Sequence, residues 1–341
     1  MYAFDQEIEG LLARDGVVGA TVAVTDRKGV VFSRGYGVAD IRRPDEPLSP
    51  SALFRAASIT KVVTGILAMK LVESGALDLD TPIKRYINWF SLSDEEARDK
   101  ITLRHLLSHR SGLPAEYTPE GPKDEGMLKK SLVDGLPGLE LVNKPGEGYK
   151  YSNWGFRLIS AILEAVTGER YSALATREIL LPLGMTSSFY IPKPEESYDI
   201  AMPHSCDEGG NLFAEPYIKE NYCRLAAGGL YSNSPDLCRL ARLLLSGGIA
   251  DDGKRILSRE SFELMTESTT LLPSGDAYGL ALQRHKFGEI SAIGHYGSAP
   301  PYSSAMYVDE RSGYGVAVMI NTKCDDLRRV ITETVLSELA K

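Results

Sequence analysis

The sequence predicts an α/β chain of the α+β kind: a mostly antiparallel sheet built from the N- and C-terminal segments, flanked by helices, with a mainly helical region inserted. Three observations carry this expectation. Short β-branched or alternating runs lie near both ends of the chain. Helix start and stop signals dominate the middle. No repeat, low-complexity tract or change of composition marks an independent linker between the two. Residues 1–80 and 250–341 are therefore expected to form a sheet domain and residues 81–249 a mainly helical one, with any active site in the cleft between them.

The elements follow in order. Residues 4–14 read as a short amphipathic helix. "GATVAVTDRKGVVFSRGYGVAD" reads as two strands joined by a turn at Asp26–Gly29, because β-branched runs flank a turn cluster. A helix from about Ser58 runs to "ESG", where Gly75 supplies a left-handed cap. Thr81 and Pro82 suit a cap and a first helical turn. "ITLRHLLSHRSGLP" is a short helix capped by Thr102 and closed by Gly112 and Pro114. "SNWGFRLISAILEAVTGERY" sets Trp154, Leu158, Ile162 and Val166 near one face, between an Asn153 cap and Gly168. "SPDLCRLARLLLSGG" repeats that grammar from Ser234 to Gly247. Four short strands, "YGLALQR", "EISAIGHYG", "YSSAMYVDE" and "YGVAVMIN", return the chain to the sheet, and a helix over about 324–340 closes it.

Composition excludes several classes of function. With 341 residues, 43% hydrophobic and 25% charged, the chain can bury a large core without disulfides or metals. A net charge of -8 lacks the basic stripe of a nucleic-acid binder. The acidic start "MYAFDQEIEGLLARDG" is unlike a signal peptide, and no stretch reaches the roughly 18 apolar residues of a membrane span, so a cytoplasmic protein is expected. The four cysteines show no C-x-x-C spacing and read as reduced core residues.

Ser58-Ile59-Thr60-Lys61 is the sole S-x-x-K of the chain. Ser58 falls on the first helical turn, where backbone N–H groups have no intrahelical acceptor. Lys61 stands three residues on, on the same face, among Val62, Val63, Ile66 and Leu67. Desolvation lowers an amine's pKa, so a neutral lysine could accept the serine proton. A bland reading, a cap followed by a solvated lysine, stands beside it.

Y-x-N occurs at Tyr86, Tyr151 and Tyr231. The first lies in a connection, and the third reads as a capping segment before a helix. Tyr151-Ser152-Asn153 follows the Pro/Gly-rich "NKPGEGYK", which predicts an exposed loop ahead of a helix. His295-Tyr296-Gly297 ends a strand, where a glycine permits close approach of a ligand backbone. His105 and His109 have metal-ligand spacing but no intervening Glu and no evident third ligand, and read as core or helix-end residues. "GIADDGKR" lacks the Ser/Thr and the preceding strand of a phosphate loop, and no G-x-S-x-G nucleophile elbow occurs.

Taken in order, S-I-T-K, then Y-S-N about ninety residues later, then H-Y-G near the C-terminus, the chain resembles the serine β-lactamase and penicillin-binding-protein superfamily. More closely it resembles the branch of class C β-lactamases, D-alanyl-D-alanine carboxypeptidases, D-aminopeptidases and family VIII carboxylesterases. "LLSHRSGLP", "GALDLDTPI", "PGEGYKYSNWGF", "LLPLGMTSS" and "AAGGLYSNSPDL" extend the likeness over nearly the whole chain. The resemblance implies a β-lactamase/transpeptidase-like fold and an acyl-enzyme formed on Ser58, with Lys61 and Tyr151 moving its proton. It implies that Asn153 binds the acyl side of the substrate and that the backbone N–H groups of Ser58 and Ser298 form an oxyanion hole. Gly297 would line the substrate site. His295 would replace the lysine of a K-T-G motif, and neither metal nor cofactor is implied.

A histidine at position 295 supplies a carboxylate-binding cation only in part at neutral pH. Ser298-Ala299-Pro300-Pro301 departs from the glycine-rich run usual after H-x-G. The histidine favours a carboxylesterase-like hydrolase of small acyl esters or amides, and the run after Gly297 predicts a stiffer pocket wall than the family's. The alternatives are a D-amino-acid peptidase or weak β-lactamase, an acyltransferase using the same acyl-enzyme, and an idle homologue that only binds or senses a ligand.

Overall fold

The computed structural model describes residues 2–116, 120–216, 221–267, 269–272 and 274–341. Its centre is an antiparallel sheet of eight strands formed by both ends of the chain. From the N-terminal end come β1 (Gly19–Thr25) and β2 (Val30–Gly37); Phe54–Arg55 (β3), His204–Cys206 (β4), Leu212–Ala214 (β5) and Tyr231–Ser232 (β6) form two small separate pairs. From the C-terminal end come β7 (Thr270–Leu271), β8 (Ala277–Tyr278), β9 (Gln283–Phe287), β10 (Ile290–Ala299), β11 (Tyr302–Asp309) and β12 (Tyr314–Ile320). The order is β2-β1-β12-β11-β10-β9-β8-β7, and the seam between the ends runs from Ala20↔Ile320 to Thr25↔Gly315.

The helices are α1 (Ala3–Arg14), α2 (Thr60–Glu73), α3 (Glu95–Arg98), α4 (Leu103–Leu107), α5 (Leu128–Gly135), α6 (Asn153–Thr167), α7 (Tyr171–Ala175), α8 (Leu225–Gly228), α9 (Ser234–Leu245), α10 (Arg259–Thr266) and α11 (Asp325–Leu339). Alternation along the strands divides the sheet into two buried faces. Ala20, Val22, Val24, Val316 and Val318 pack with Phe4 and Ile8 of α1 and with Ile331 and Val335 of α11. Ala23, Met306, Ala317 and Met319 face the other way, into a core shared with α2, α6 and α9. The fold is thus the expected mixture of a large antiparallel sheet and flanking helices.

Several local expectations shift by a residue or change character. Asp26 organises the β1–β2 turn by accepting from Lys28 N and Gly29 N. Thr81 and Pro82 lead into only a 3-10 turn, Ile83–Arg85, without a side-chain cap. Asn233 rather than Ser234 caps α9, accepting from Asp236 N at 2.8 Å. Asn153 does not cap α6: the cap position is Ser152, and the Asn153 side chain turns elsewhere. Cys223 and Cys238 are buried, whereas Cys206 is exposed. Helix α9, inside the stretch expected to be the helical domain, packs against β1, β11 and β12.

What matters for the site is how α2 is held. Residues Thr60–Met69 are buried on every side, the mark of a central helix rather than a surface one. Thr60 Oγ1 accepts from Leu230 N at 3.1 Å, and Thr64 Oγ1 donates to the Ala226 carbonyl at 2.8 Å. These bonds fasten α2 to the Ala226–Leu230 segment, while β10 packs against the Ala57–Ile59 turn that leads into the helix.

Candidate active site

Ser58 lies in a 3-10 turn, Ala57–Ile59, that runs directly into α2. The residue before it, Ala57, has φ 49, a left-handed conformation that costs a non-glycine residue free energy and must be enforced by its surroundings. The enforcement is visible. Ala56 N donates to the Leu230 carbonyl at 2.9 Å, and the Ala56 carbonyl accepts from Ser304 Oγ at 2.9 Å. A Cβ on Gly297 would lie 2.3 Å from that same carbonyl and 2.2 Å from Ser304 Oγ. The glycine of H-Y-G is therefore required by the turn that carries Ser58, in addition to any need of a ligand.

Lys61 is fully buried, and its Nζ has three oxygen neighbours: Ser58 Oγ at 3.0 Å, Asn153 Oδ1 at 2.9 Å and the Ala227 carbonyl at 2.6 Å. The amide of Asn153 is oriented by its other end, where Nδ2 donates to the Glu116 carbonyl at 2.8 Å. Asn153 Oδ1 and Ala227 O can only accept. A neutral amine would spend its two N–H groups on them and leave its lone pair for the Ser58 hydroxyl. Burial, reinforced by the Arg224 charge, drives the Lys61 pKa well below the ordinary lysine range, toward that neutral form.

Tyr151 closes the group. Its ring centroid is 4.9 Å from Lys61 Nζ, and its hydroxyl lies close enough to Ser58 for that side chain to favour the phenolate. Burial raises the pKa of this phenol, with Ser58 opposing. The phenol is therefore protonated at neutral pH. The other two Y-x-N copies are elsewhere: Tyr86 OH accepts from Asp78 N, and Tyr231 stacks on Phe189 at 5.1 Å.

His295 is 1% exposed, with Nε2 3.0 Å from Tyr278 OH and its ring 6.2 Å from that of Tyr151. Burial pulls its pKa down to about 3, so the partial charge expected from the sequence is replaced by a neutral ring at neutral pH. Ser298 is exposed, opposite Ser303 on β11. Pairing of β10 with β9 stops at Gly294↔Gln283, and Tyr296 N donates past that point to Gln283 Oε1 at 3.1 Å. Strand alternation then turns the Ser298 N–H toward the same edge, where the sheet has no further strand partner among the described residues.

His105 and His109 diverge. His105 Nδ1 accepts from Thr102 N at 3.3 Å within a capping box, whereas His109 sits against Tyr151 with ring centroids 4.2 Å apart. Neither His109 nor the buried Arg157–Glu116 pair, 2.5 Å apart beneath Asn153, was expected at the site, and nor was the Ala227 carbonyl. The stretches "LLSHRSGLP" and "AAGGLYSNSPDL" contain His109 and Ala227 as landmarks without assigned roles; neither contains Glu116 or Arg157.

A family model described as Beta-lactamase matches residues 4–339. The chain belongs to the beta-lactamase family. Among curated relatives, this beta-lactamase-family chain is 27% identical over 300 residues to "Penicillin-binding protein 4" of Amycolatopsis lactamdurans, covering 85% of this chain and 76% of that protein. It is 24% identical to "Protein flp" of Staphylococcus aureus over 96% of this chain, which spans only 64% of that protein's length. Among solved structures, an octameric penicillin-binding protein homologue from Pyrococcus abyssi superposes with TM-score 0.84 at 27% identity, over 99% of this chain and 76% of the other. A D-amino acid amidase from Ochrobactrum anthropi SV3 gives TM-score 0.82 at 25% identity, over 99% and 98%. These likenesses make the beta-lactamase-family protein a hydrolase in general. No helix among the described residues is long and apolar enough to cross a membrane.

Proposed function

We propose that this protein is a serine hydrolase that forms an acyl-enzyme on Ser58, with small uncharged acyl esters as its best substrates. The observation that carries the reading is the shell of Lys61: a fully buried amine with two acceptor-only neighbours and one hydroxyl. In the resting state Lys61 is neutral and Tyr151 keeps its proton. Lys61 takes the proton of Ser58 as its oxygen attacks the acyl carbon, and the departing alkoxide takes the phenolic proton of Tyr151. The ammonium then returns its proton to the phenolate, so that both groups are reset. In the second half a water attacks the Ser58 ester; Lys61 removes the water proton, Ser58 oxygen leaves with a proton, and the acid departs. The sum is ester plus water giving acid plus alcohol.

Asn153 serves two purposes in this reading, fixing Lys61 and offering its amide toward the acyl side of the substrate. The N–H groups of Ser58 and Ser298 would receive the developing oxyanion, a contribution of about 10²–10³ in rate for each donor. The neutral His295 supports the preference for uncharged substrates, because the third motif offers no ring charge to a carboxylate at neutral pH. A cleft between the sheet part (1–80 and 250–341) and the helical part (81–249) is proposed to hold the substrate.

A second reading, hydrolysis of D-amino-acid amides, is favoured by the likeness to the Ochrobactrum amidase over nearly the full length of both chains. Such amides also lack a carboxylate. The test is a panel of short-chain p-nitrophenyl esters, D-amino-acid p-nitroanilides and a chromogenic cephalosporin. The proposal expects the ester to give a burst of p-nitrophenol stoichiometric with enzyme, abolished by Ser58→Ala. Preferred turnover of the anilide would select the second reading, and no turnover of any of the three would overturn both.

A further inference from the structure

We propose that His109 is a positioning residue that holds Tyr151 in place for proton transfer, by fastening the backbone on both sides of it. The inference rests on the reading of Tyr151 given above.

Tyr151 is carried by an irregular segment between the loop "NKPGEGYK" and α6, so no ladder of strand or helix bonds fixes its backbone. His109 supplies the missing ties. Its carbonyl accepts from Lys150 N at 2.8 Å, and its Nδ1 accepts from Ser152 N at 3.1 Å. Between these two bonds its ring lies against the Tyr151 ring, 4.2 Å from centroid to centroid at 38°. One residue thus contacts all three members of Lys150-Tyr151-Ser152.

The chemistry requires an acceptor here and has no use for a charge. A backbone N–H can only donate, so Nδ1 must carry a lone pair and the ring proton must sit on Nε2. Nε2 has no hydrogen-bond partner among the described residues and is enclosed by Tyr149, Phe156 and Tyr278, whose centroids lie 5.9, 5.3 and 4.9 Å from the ring. A leucine or phenylalanine would fill such a pocket without stranding a polar atom. The single function that distinguishes the imidazole is the bond to Ser152. A proton on Nδ1 would oppose the Ser152 N–H and add a cation beside Lys61; burial, Lys61 and His295 all push the ring toward its neutral form. The residue is itself rigidly set, with φ 56, a left-handed conformation that asparagine and glycine tolerate best among the alternatives.

Those tolerances choose the variants. His109→Asn keeps the backbone conformation and offers Oδ1 to Ser152, whereas His109→Gly keeps the conformation and removes the acceptor. Turnover of p-nitrophenyl acetate and hydrogen–deuterium exchange of the Ser152 amide are measured on both. The expected result for His109→Gly is a fall in kcat of about 10²-fold with KM little changed, the scale of a misplacement near 1 Å, together with faster exchange at Ser152. His109→Asn is expected to stay within about tenfold of wild-type kcat, with the amide still protected. Equal losses in the two variants, or wild-type kcat in His109→Gly, would overturn the assignment. Should the glycine variant not fold, the asparagine variant decides alone: a loss of about 10²-fold with Ser152 still protected refutes the positioning role. Acylation of wild-type Ser58 is recorded first. If it is absent, the functional reading and this inference fall together; if it is present and unaffected in His109→Gly, only this inference falls.

Discussion

Lys61 Nζ donates to the carbonyl oxygen of Ala227 at 2.6 Å, joining the inserted α8 to the helix that follows Ser58. Carbonyls at the end of a short helix lack intrahelical partners, and here one is spent on the amine. The bond, with that to Asn153, decides which of the amine's surroundings can receive a proton and which can give one. On the proposed reading, position 61 needs an amine able to lose its charge. Lys61→Arg keeps length and charge but cannot act as a base. Both Lys61→Arg and Lys61→Met should lower kcat for an activated ester by about 10²–10⁴-fold, as read from steady-state rates on folded protein. An active arginine variant would contradict the assignment of the base.

The same burial makes Lys61 a liability for stability, with a definite sign. Its folded pKa is well below 10.5, so in the window between the two values the unfolded chain binds more protons. Stability contributed at this site therefore rises with pH across that window and is poorest below the folded value. Lys61→Met should melt at a higher temperature than wild type at pH 7, and the gap should narrow as pH approaches 10. His295 adds an acid limb: with a folded value of about 3 against 6.5, it removes stability progressively as pH falls from 6.5 toward 3. Thermal melts across pH 4–10 would show both limbs, and a Lys61→Met gap independent of pH would count against a neutral amine.

Tyr151→Phe deletes the hydroxyl beside Ser58 and should cut turnover by about 10²–10⁴-fold, with circular dichroism and melting temperature little altered. Tyr231→Phe removes a hydroxyl at a ring stacked on Phe189 and is expected to retain activity. Inverse behaviour of the two would mean that the wrong Y-x-N had been chosen.

Gly297→Ala tests the contact between the third motif and the turn bearing Ser58. The added methyl meets two oxygens, at 2.2 and 2.3 Å, neither of which is the free end of a long side chain. The strand and the turn must separate, at a cost of about 1–3 kcal/mol typical of overpacking. A lowered denaturation midpoint accompanied by a lower kcat is expected. An unchanged midpoint would show that β10 yields without strain.

Much of this arrangement was legible in the chain. The strand runs "TVAV" and "YGVAVMIN" alternate or stay apolar because the sheet buries both faces, and they pair at Ala20↔Ile320. Ser58 and Lys61 could be set on one face from helical spacing alone. Tyr151 was distinguished from its two competitors by the Pro/Gly-rich loop before it. What the sequence concealed are relationships made by long-range packing. Asn153 looks like a helix cap because asparagine commonly caps, yet its side chain has a better use in binding Lys61 and Glu116. His109 reads as a core or helix-end residue, since spacing reports proximity along a helix and not the direction in which a ring is turned after the helix ends. The charge state of His295 depends on complete burial, which no local pattern conveys. Backbone acceptors such as Ala227 O leave no signature in residue type.

The most direct test is to quench the enzyme during turnover of a short-chain activated ester and map the covalent adduct by peptide mass spectrometry. One acyl group per chain is expected, confined to the peptide containing Ser58, lost on hydroxylamine treatment and absent from Ser58→Ala. Sustained turnover with no adduct, or with the acyl group on another residue, would contradict that expectation.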